Sequence, residues 1–75
     1  MFVKVMVKEE DIYTEHMYEC TNYNYTEDDE ETRFTIVHDE DNTTHFGLDK
    51  ANTNIFIMNN NGVTIDSYKW NNELL

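Results

Sequence analysis

Four side chains in this 75-residue chain are of types that ligate transition metals: His16, His38, His45 and Cys20. Imidazole nitrogens and a thiolate are the donors that zinc and its neighbours favour. Their separations match no zinc motif, and a single cysteine excludes both a Cys-rich zinc site and an intrachain disulfide. Lone histidines on strands more often pack with one bonded ring nitrogen, and a lone cysteine more often fills a core. Cys20 beside a histidine has the residue types of a nucleophile and its base, yet the spacing brings no such pair together. Calcium chemistry fares no better. DEDNTTHFGLDK, starting at Asp39, has the acid density of a calcium loop but carries Thr44 where the sharp turn needs Gly and Lys50 where a bidentate Glu closes the site. No catalytic residue, metal or cofactor is expected, and the chain is read as a binding protein rather than an enzyme.

The remaining chemistry is anionic. TEDDEET sets Glu27, Asp28, Asp29, Glu30 and Glu31 in a row, and Asp39, Glu40 and Asp41 follow closely. The whole chain holds sixteen acids against five Lys and Arg, a net charge of -11. Residues 9 to 41 contain thirteen of those acids and the single base Arg33, a net of -12. An isolated acidic run is usually a solvated connection, and net charge of either sign keeps a small domain soluble. Concentrating the charge costs stability through self-repulsion, which argues for a use. Such a surface cannot bind nucleic acid directly, because phosphates need Lys and Arg to displace their counterions. It resembles nucleic acid instead, and it steers basic partners toward itself. Tyr23 and Tyr25, beside the run, are candidate anchors through stacking or cation–π contacts with Arg on such a partner.

These groups need elements to position them. Ten aromatics and many β-branched residues argue for a packed sheet rather than a disordered acidic chain. Val3, Val5 and Val7 alternate with Lys4, Met6 and Lys8, which predicts a strand over residues 2 to 8. Residues 9 to 14 read as a turn. Residues 12 to 20 fit a helical face or a strand, and the Thr and Tyr residues that follow favour a strand over 15 to 25. Further strands are expected at 33 to 38 and 43 to 48. NIFIMNNNGVTIDSYKW, Asn54 to Trp70, predicts a hairpin. A two-residue loop at Asn61 and Gly62 would pair Ile57 with Asp66; burial favours a three-residue loop of Asn60, Asn61 and Gly62, which pairs Ile57 with Ile65 and turns Phe56, Met58, Thr64, Asp66 and Tyr68 to the other side. Residues 71 to 75 are expected to fray or to form a helical turn that folds Leu74 and Leu75 back.

The expected fold is all-β, one small acidic domain over residues 1–75. Its architecture is an antiparallel meander of five or six strands, curled or partly closed into a barrel. In a meander the turns at 9 to 14 and 39 to 42 share one end and the run at 27 to 31 caps the other. Glu15 and Glu19 then join the two ends. At this size only about 60% of the unfolded surface becomes buried, and a deep enzyme cleft is hard to carve. MFVKVMVK is too short for a signal peptide, and no apolar run approaches the ~18 residues of a membrane span. A cytoplasmic protein is expected, and the Asn24 and Asn42 sequons carry no weight.

By analogy of size and composition alone, the chain resembles phage and mobile-element proteins that block host nucleic-acid-binding enzymes. The leading expectation is an acidic decoy that blocks the basic nucleic-acid-binding surface of a host enzyme, such as a nuclease, a restriction or CRISPR effector, a polymerase or a repair enzyme. It would act as a monomer or homodimer. A second reading is an accessory or structural module that self-associates through a hydrophobic hairpin face of Phe56, Met58 and Tyr68. A third is a small protein that sequesters a nucleotide or metabolite.

Overall fold

The computed structural model describes residues 1–71 and 74. The described residues form seven strands: β1 (Phe2–Glu9), β2 (Ile12–Glu19), β3 (Asn22–Glu27), β4 (Thr32–Val37), β5 (Thr43–Gly47), β6 (Thr53–Met58) and β7 (Thr64–Lys69). All pairings are antiparallel, so the all-β reading holds. The count exceeds the expected five or six, and the strands form two open sheets rather than one curled meander. Sheet A has the order β2-β1-β6-β7 and sheet B the order β3-β4-β5. No helix among the described residues is long and apolar enough to cross a membrane.

Period-2 alternation explains the core. Val3 and Val5 on β1 pair with Ile57 and Ile55 on β6, and these side chains face Phe34 and Ile36 of β4. Cys20, in the link between β2 and β3, completes the buried cluster. Half-buried aromatics ring it. Phe34 lies 6.0 Å from Tyr23, 5.9 Å from Phe46 and 5.8 Å from Tyr68, ring centre to ring centre. The sheets are offset by one strand. Tyr23 and Tyr25 of β3 meet Asp66 and Tyr68 of β7, while Phe46 of β5 shares a depression with Val5 and Val7 of β1. Seven of the eight β2 residues are exposed, which fits a strand that overhangs the three-stranded layer.

Three differences from the sequence reading have physical causes. First, the strand expected over 15 to 25 is two strands, broken at Cys20 and Thr21, where the chain leaves sheet A and enters sheet B. Second, the turn expected over 9 to 14 is tight. Glu9 pairs with Ile12, and Glu10 takes a positive φ of 56° to close the loop. Third, the β6–β7 hairpin contains both registers that an Asn-Gly loop allows. The Asn59 N–H donates to the Val63 carbonyl at 2.9 Å and Gly62 has φ 80°, as a three-residue loop requires. A bulge then shifts the pairing beyond Met58, so Ile57 faces Asp66 and Ile55 faces Tyr68. Ile65, expected opposite Ile57, is left 57% exposed. Tyr68 consequently points into the core, away from Phe56 and Met58.

Asn54 lies on the outer face of sheet A yet is fully buried. Its Oδ1 accepts from the Trp70 and Asn71 N–H groups at 2.8 and 2.9 Å, and its Nδ2 donates to the Asn71 carbonyl at 2.7 Å. This one amide folds the chain after β7 back over the sheet. Leu74 donates its N–H to the Asn71 carbonyl at 3.2 Å and is 1% exposed, so it is folded back rather than left in solvent. Leu75 lies outside the described residues.

Candidate functional site

The break at Cys20 reverses the chain once more than a five-strand meander does, and that reversal regroups the acids. One end of the sandwich gathers the β1–β2 turn with Glu9, Glu10 and Asp11, the β3–β4 connection with Glu27 to Glu31, and the β5–β6 loop with Asp49. The grouping follows from the pairings. The Lys8 N–H donates to the Asn52 carbonyl at 2.8 Å, which ties the β1 end to the β5–β6 loop. The Leu48 N–H donates to the Thr32 carbonyl at 3.0 Å, which ties that loop to the acidic run. Nine acids thus share one end. Asp39, Glu40 and Asp41 lie at the opposite end, beside the β6–β7 turn and the β2–β3 link, where the Thr21 N–H donates to the Val37 carbonyl. The expected pairing of the turn after β1 with the turn at 39 to 42 is therefore corrected: it is joined by the run at 27 to 31 instead. Glu15 and Glu19 do share a face, the outer side of β2.

Within the run the five carboxylates have different roles. Asp28 shapes the turn, because its Oδ1 accepts from the Glu30 and Glu31 N–H groups at 2.9 and 2.7 Å. Those two backbone bonds, with Arg33 nearby, hold its carboxyl below the ordinary range. Glu27 pairs with Lys50 and accepts from the Tyr25 hydroxyl at 2.9 Å, and the same two partners lower its pKa. Glu31 pairs with Arg33 at 2.9 Å. Asp29 and Glu30 extend their carboxylates into solvent. A depression of about 540 Å³ opens between the run and residues 47 to 50. A smaller one, about 270 Å³, adjoins it and reaches Glu9. The basic residues of this end serve the fold at its rim, while Glu10, Asp11, Asp29 and Glu30 project outward.

Across the molecule Asp39 repeats the turn chemistry of Asp28. It accepts from the Asp41 and Asn42 N–H groups at 2.8 and 3.0 Å and from the Asn42 side-chain amide, and the side-chain bond first, then the backbone bonds, lower its pKa. Its carboxylate is committed to the turn. His38, next to it, donates from Nδ1 to the Glu19 carbonyl at 2.8 Å and bonds Thr44 through Nε2 at 2.7 Å. His45 bonds Thr35 at 3.0 Å, and His16 is exposed on β2. No three His, Cys, Asp or Glu side chains among the described residues are arranged to hold a metal ion. Burial pushes the Cys20 thiol up from 9.0, which suits packing rather than nucleophilic attack.

Tyr23 and Tyr25 are not free anchors. Both face inward and are half-buried, with Tyr25 stacked 4.9 Å from Tyr68 and the Tyr23 hydroxyl donating to Asp66 at 2.9 Å. Desolvation and the Asp66 bond raise the Tyr23 pKa to about 12. A raised tyrosine pKa stabilises the fold fully below its unfolded value near 10, and that contribution disappears as pH climbs through the folded value. Tyr23→Phe is therefore expected to lower the urea midpoint at pH 8, with the deficit against wild type shrinking between pH 10 and 12. A deficit independent of pH would assign the loss to packing alone. Sequence reasoning passed over Asp66 and Asp49; their positions depend on the bulge at Ile65 and on β6 inserting beside β1.

No protein-family model, curated protein or solved structure matches this chain.

Proposed function

We propose that the protein is an acidic decoy that occupies the basic nucleic-acid-binding surface of an enzyme. The observation that carries this reading is the convergence of nine acids from three turns at one end of the sandwich, with Glu10, Asp11, Asp29 and Glu30 directed outward. The duplex it would imitate is denser, with one charge per roughly 1.7 Å of axis. A cluster of turn carboxylates needs only to match the spacing of the Lys and Arg side chains it meets. Charge gathered at one end also orients an approaching basic surface and raises its association rate. The sites for contact are Glu27 to Glu31 with the β1–β2 turn. Asp39, Glu40 and Asp41, at the far end, belong to a separate and smaller patch.

Self-association through a face of Phe56, Met58 and Tyr68 has less to recommend it, since Tyr68 faces the core. A host enzyme of a phage or mobile element remains the proposed target, by composition. Capture from a lysate at about 50 mM and about 500 mM salt tests the reading, because contacts between exposed charges weaken as the screening length shortens. The expected result is a nucleic-acid-binding protein held at low salt, released at high salt, and displaced by added duplex DNA. Capture indifferent to both salt and DNA would overturn it.

A further inference from the structure

β2 has an unused edge. The Cys20 N–H donates to the Met1 carbonyl at 2.9 Å, and this pair extends the β1–β2 register. In an antiparallel ladder alternate residues point their N–H and C=O to opposite sides. Ile12, Thr14, His16 and Tyr18 therefore bond to β1, while Tyr13, Glu15, Met17 and Glu19 turn their backbone groups outward. The Lys8 N–H, which points to Asn52 on the β6 side, fits the same alternation. His38 takes the Glu19 carbonyl. Tyr13, Glu15 and Met17 are left presenting three donors and three acceptors, with no backbone partner among the described residues. Proteins usually blunt such an edge with charged side chains, Lys above all, with Pro or with a bulge; β2 has no Lys, Pro or bulge, and its charges are the carboxylates of Glu15 and Glu19.

The strand is also equipped to hold something. Ile12 is 65% exposed, Tyr13 57% and Met17 48%, and these side chains lie on both faces of β2. Because β2 overhangs sheet B, that layer reaches the free edge only at its Glu19 end, where His38 bonds the carbonyl and lies 6.2 Å from the Tyr18 ring. Charge selects the occupant. Glu15 and Glu19 project from one face, Glu10 and Asp11 precede the strand, and β2 carries no Lys or Arg. Of the two lysines on the same face of β1, Lys4 leans away from β2, 5.1 Å over the Phe56 ring on β6, and Lys8 lies 5.5 Å over the Tyr13 ring near the start of β2. A second copy pairing here would set two acidic strands side by side on chains of charge -11 each, which repel. An extended segment with alternating Lys or Arg satisfies both the backbone groups and the carboxylates.

We propose that β2 accepts an extended basic segment of the partner as a fifth strand of sheet A, placing Lys or Arg side chains against Glu15 and Glu19. The idea rests on the decoy reading for the sign of the partner's charge, and its backbone geometry is independent of it. A synthetic peptide alternating Lys and Val is the probe, with the same peptide N-methylated at alternate residues and a Glu–Val peptide as controls. Backbone amide exchange and chemical shifts are read by NMR. Expected is slowed exchange at Tyr13, Glu15 and Met17 with the Lys–Val peptide alone. Met17→Pro removes an outward N–H without touching the β1 ladder, a position where an edge strand tolerates Pro. It is expected to keep dispersed amide signals and to weaken binding roughly tenfold or more, with Met17→Ala retaining most of it. Binding that perturbs only residues 27 to 31, or that ignores both N-methylation and Met17→Pro, would overturn strand addition while leaving the decoy reading standing. So would self-association of the wild type that Met17→Pro abolishes. Peptide binding that survives in a chain whose capture of nucleic-acid-binding proteins fails would sink the decoy reading alone.

Discussion

Replacing Asn54 by alanine is expected to cost about 2–4 kcal/mol, because a buried donor or acceptor left without its partner costs ~1–3 kcal/mol. The side chain serves the Trp70 and Asn71 N–H groups and the Asn71 carbonyl at once, and its Nδ2 also lies 3.4 Å from the Leu74 carbonyl. Truncation strands these groups against the outer face of sheet A, and Leu74 loses the amide contact beside which it is buried. Some groups regain water as the segment lifts, which keeps the loss below a simple sum. For a chain of this length total stability is roughly 4–11 kcal/mol, so the variant should be partly unfolded at 37 °C. Asn54→Asp is expected to be worse, since a carboxylate would face the Asn71 carbonyl it now donates to. Urea titration followed by Trp70 fluorescence checks both. A midpoint unchanged in Asn54→Ala would show that the segment after β7 contributes nothing to the fold.

Phe34→Ala is the second large loss, about 3–5 kcal/mol from buried area and the cavity left behind. Phe34 is fully buried on the middle strand of sheet B, and its ring touches aromatic side chains on β3, β5 and β7. Among the ring contacts of the described residues, no other side chain meets rings on three strands besides its own; Tyr68 meets rings on two, β3 and β4. Phe34→Leu keeps most of the volume and should cost under about 1.5 kcal/mol. If the alanine variant lost no more than the leucine variant, the two sheets would not depend on this contact.

Alternation made much of the fold legible. Val3, Val5 and Val7, the Phe34–Ile36 pair, and Ile55 with Ile57 each announced a strand with one apolar face, and those strands exist. The break at Cys20 was hidden because Tyr18, Cys20, Tyr23 and Tyr25 look like one aromatic-rich strand. A parity change was there to find. Tyr18 and Tyr23 both face inward yet are an odd number of residues apart, which no uninterrupted strand permits. Missing that reversal exchanged the ends of every later turn, so the run at 27 to 31 was set opposite the β1–β2 turn instead of beside it. Asn54 was unreadable for another reason: an Asn on the outer face of a strand ordinarily meets solvent, and only the chain returning after Trp70 makes a buried strand amide favourable. The register of β6 against β7 also exceeded local information, because the loop and the bulge favour different pairings.

Grouping the acids by end divides them into two patches that can be tested separately. Glu10→Gln, Asp11→Asn, Asp29→Asn and Glu30→Gln together remove four outward charges where three turns meet, sparing Asp28 and the Glu27–Lys50 and Glu31–Arg33 pairs that hold the turn. Glu40→Gln with Asp41→Asn does the same at the far end while keeping Asp39 in its turn. The most direct measurement is the salt-dependent capture of nucleic-acid-binding proteins by these two variants and the wild type. Capture lost in the first variant and kept in the second is the predicted result. Equal capture by all three chains would contradict it, and the acids at 27 to 31 would then be a solvated connection.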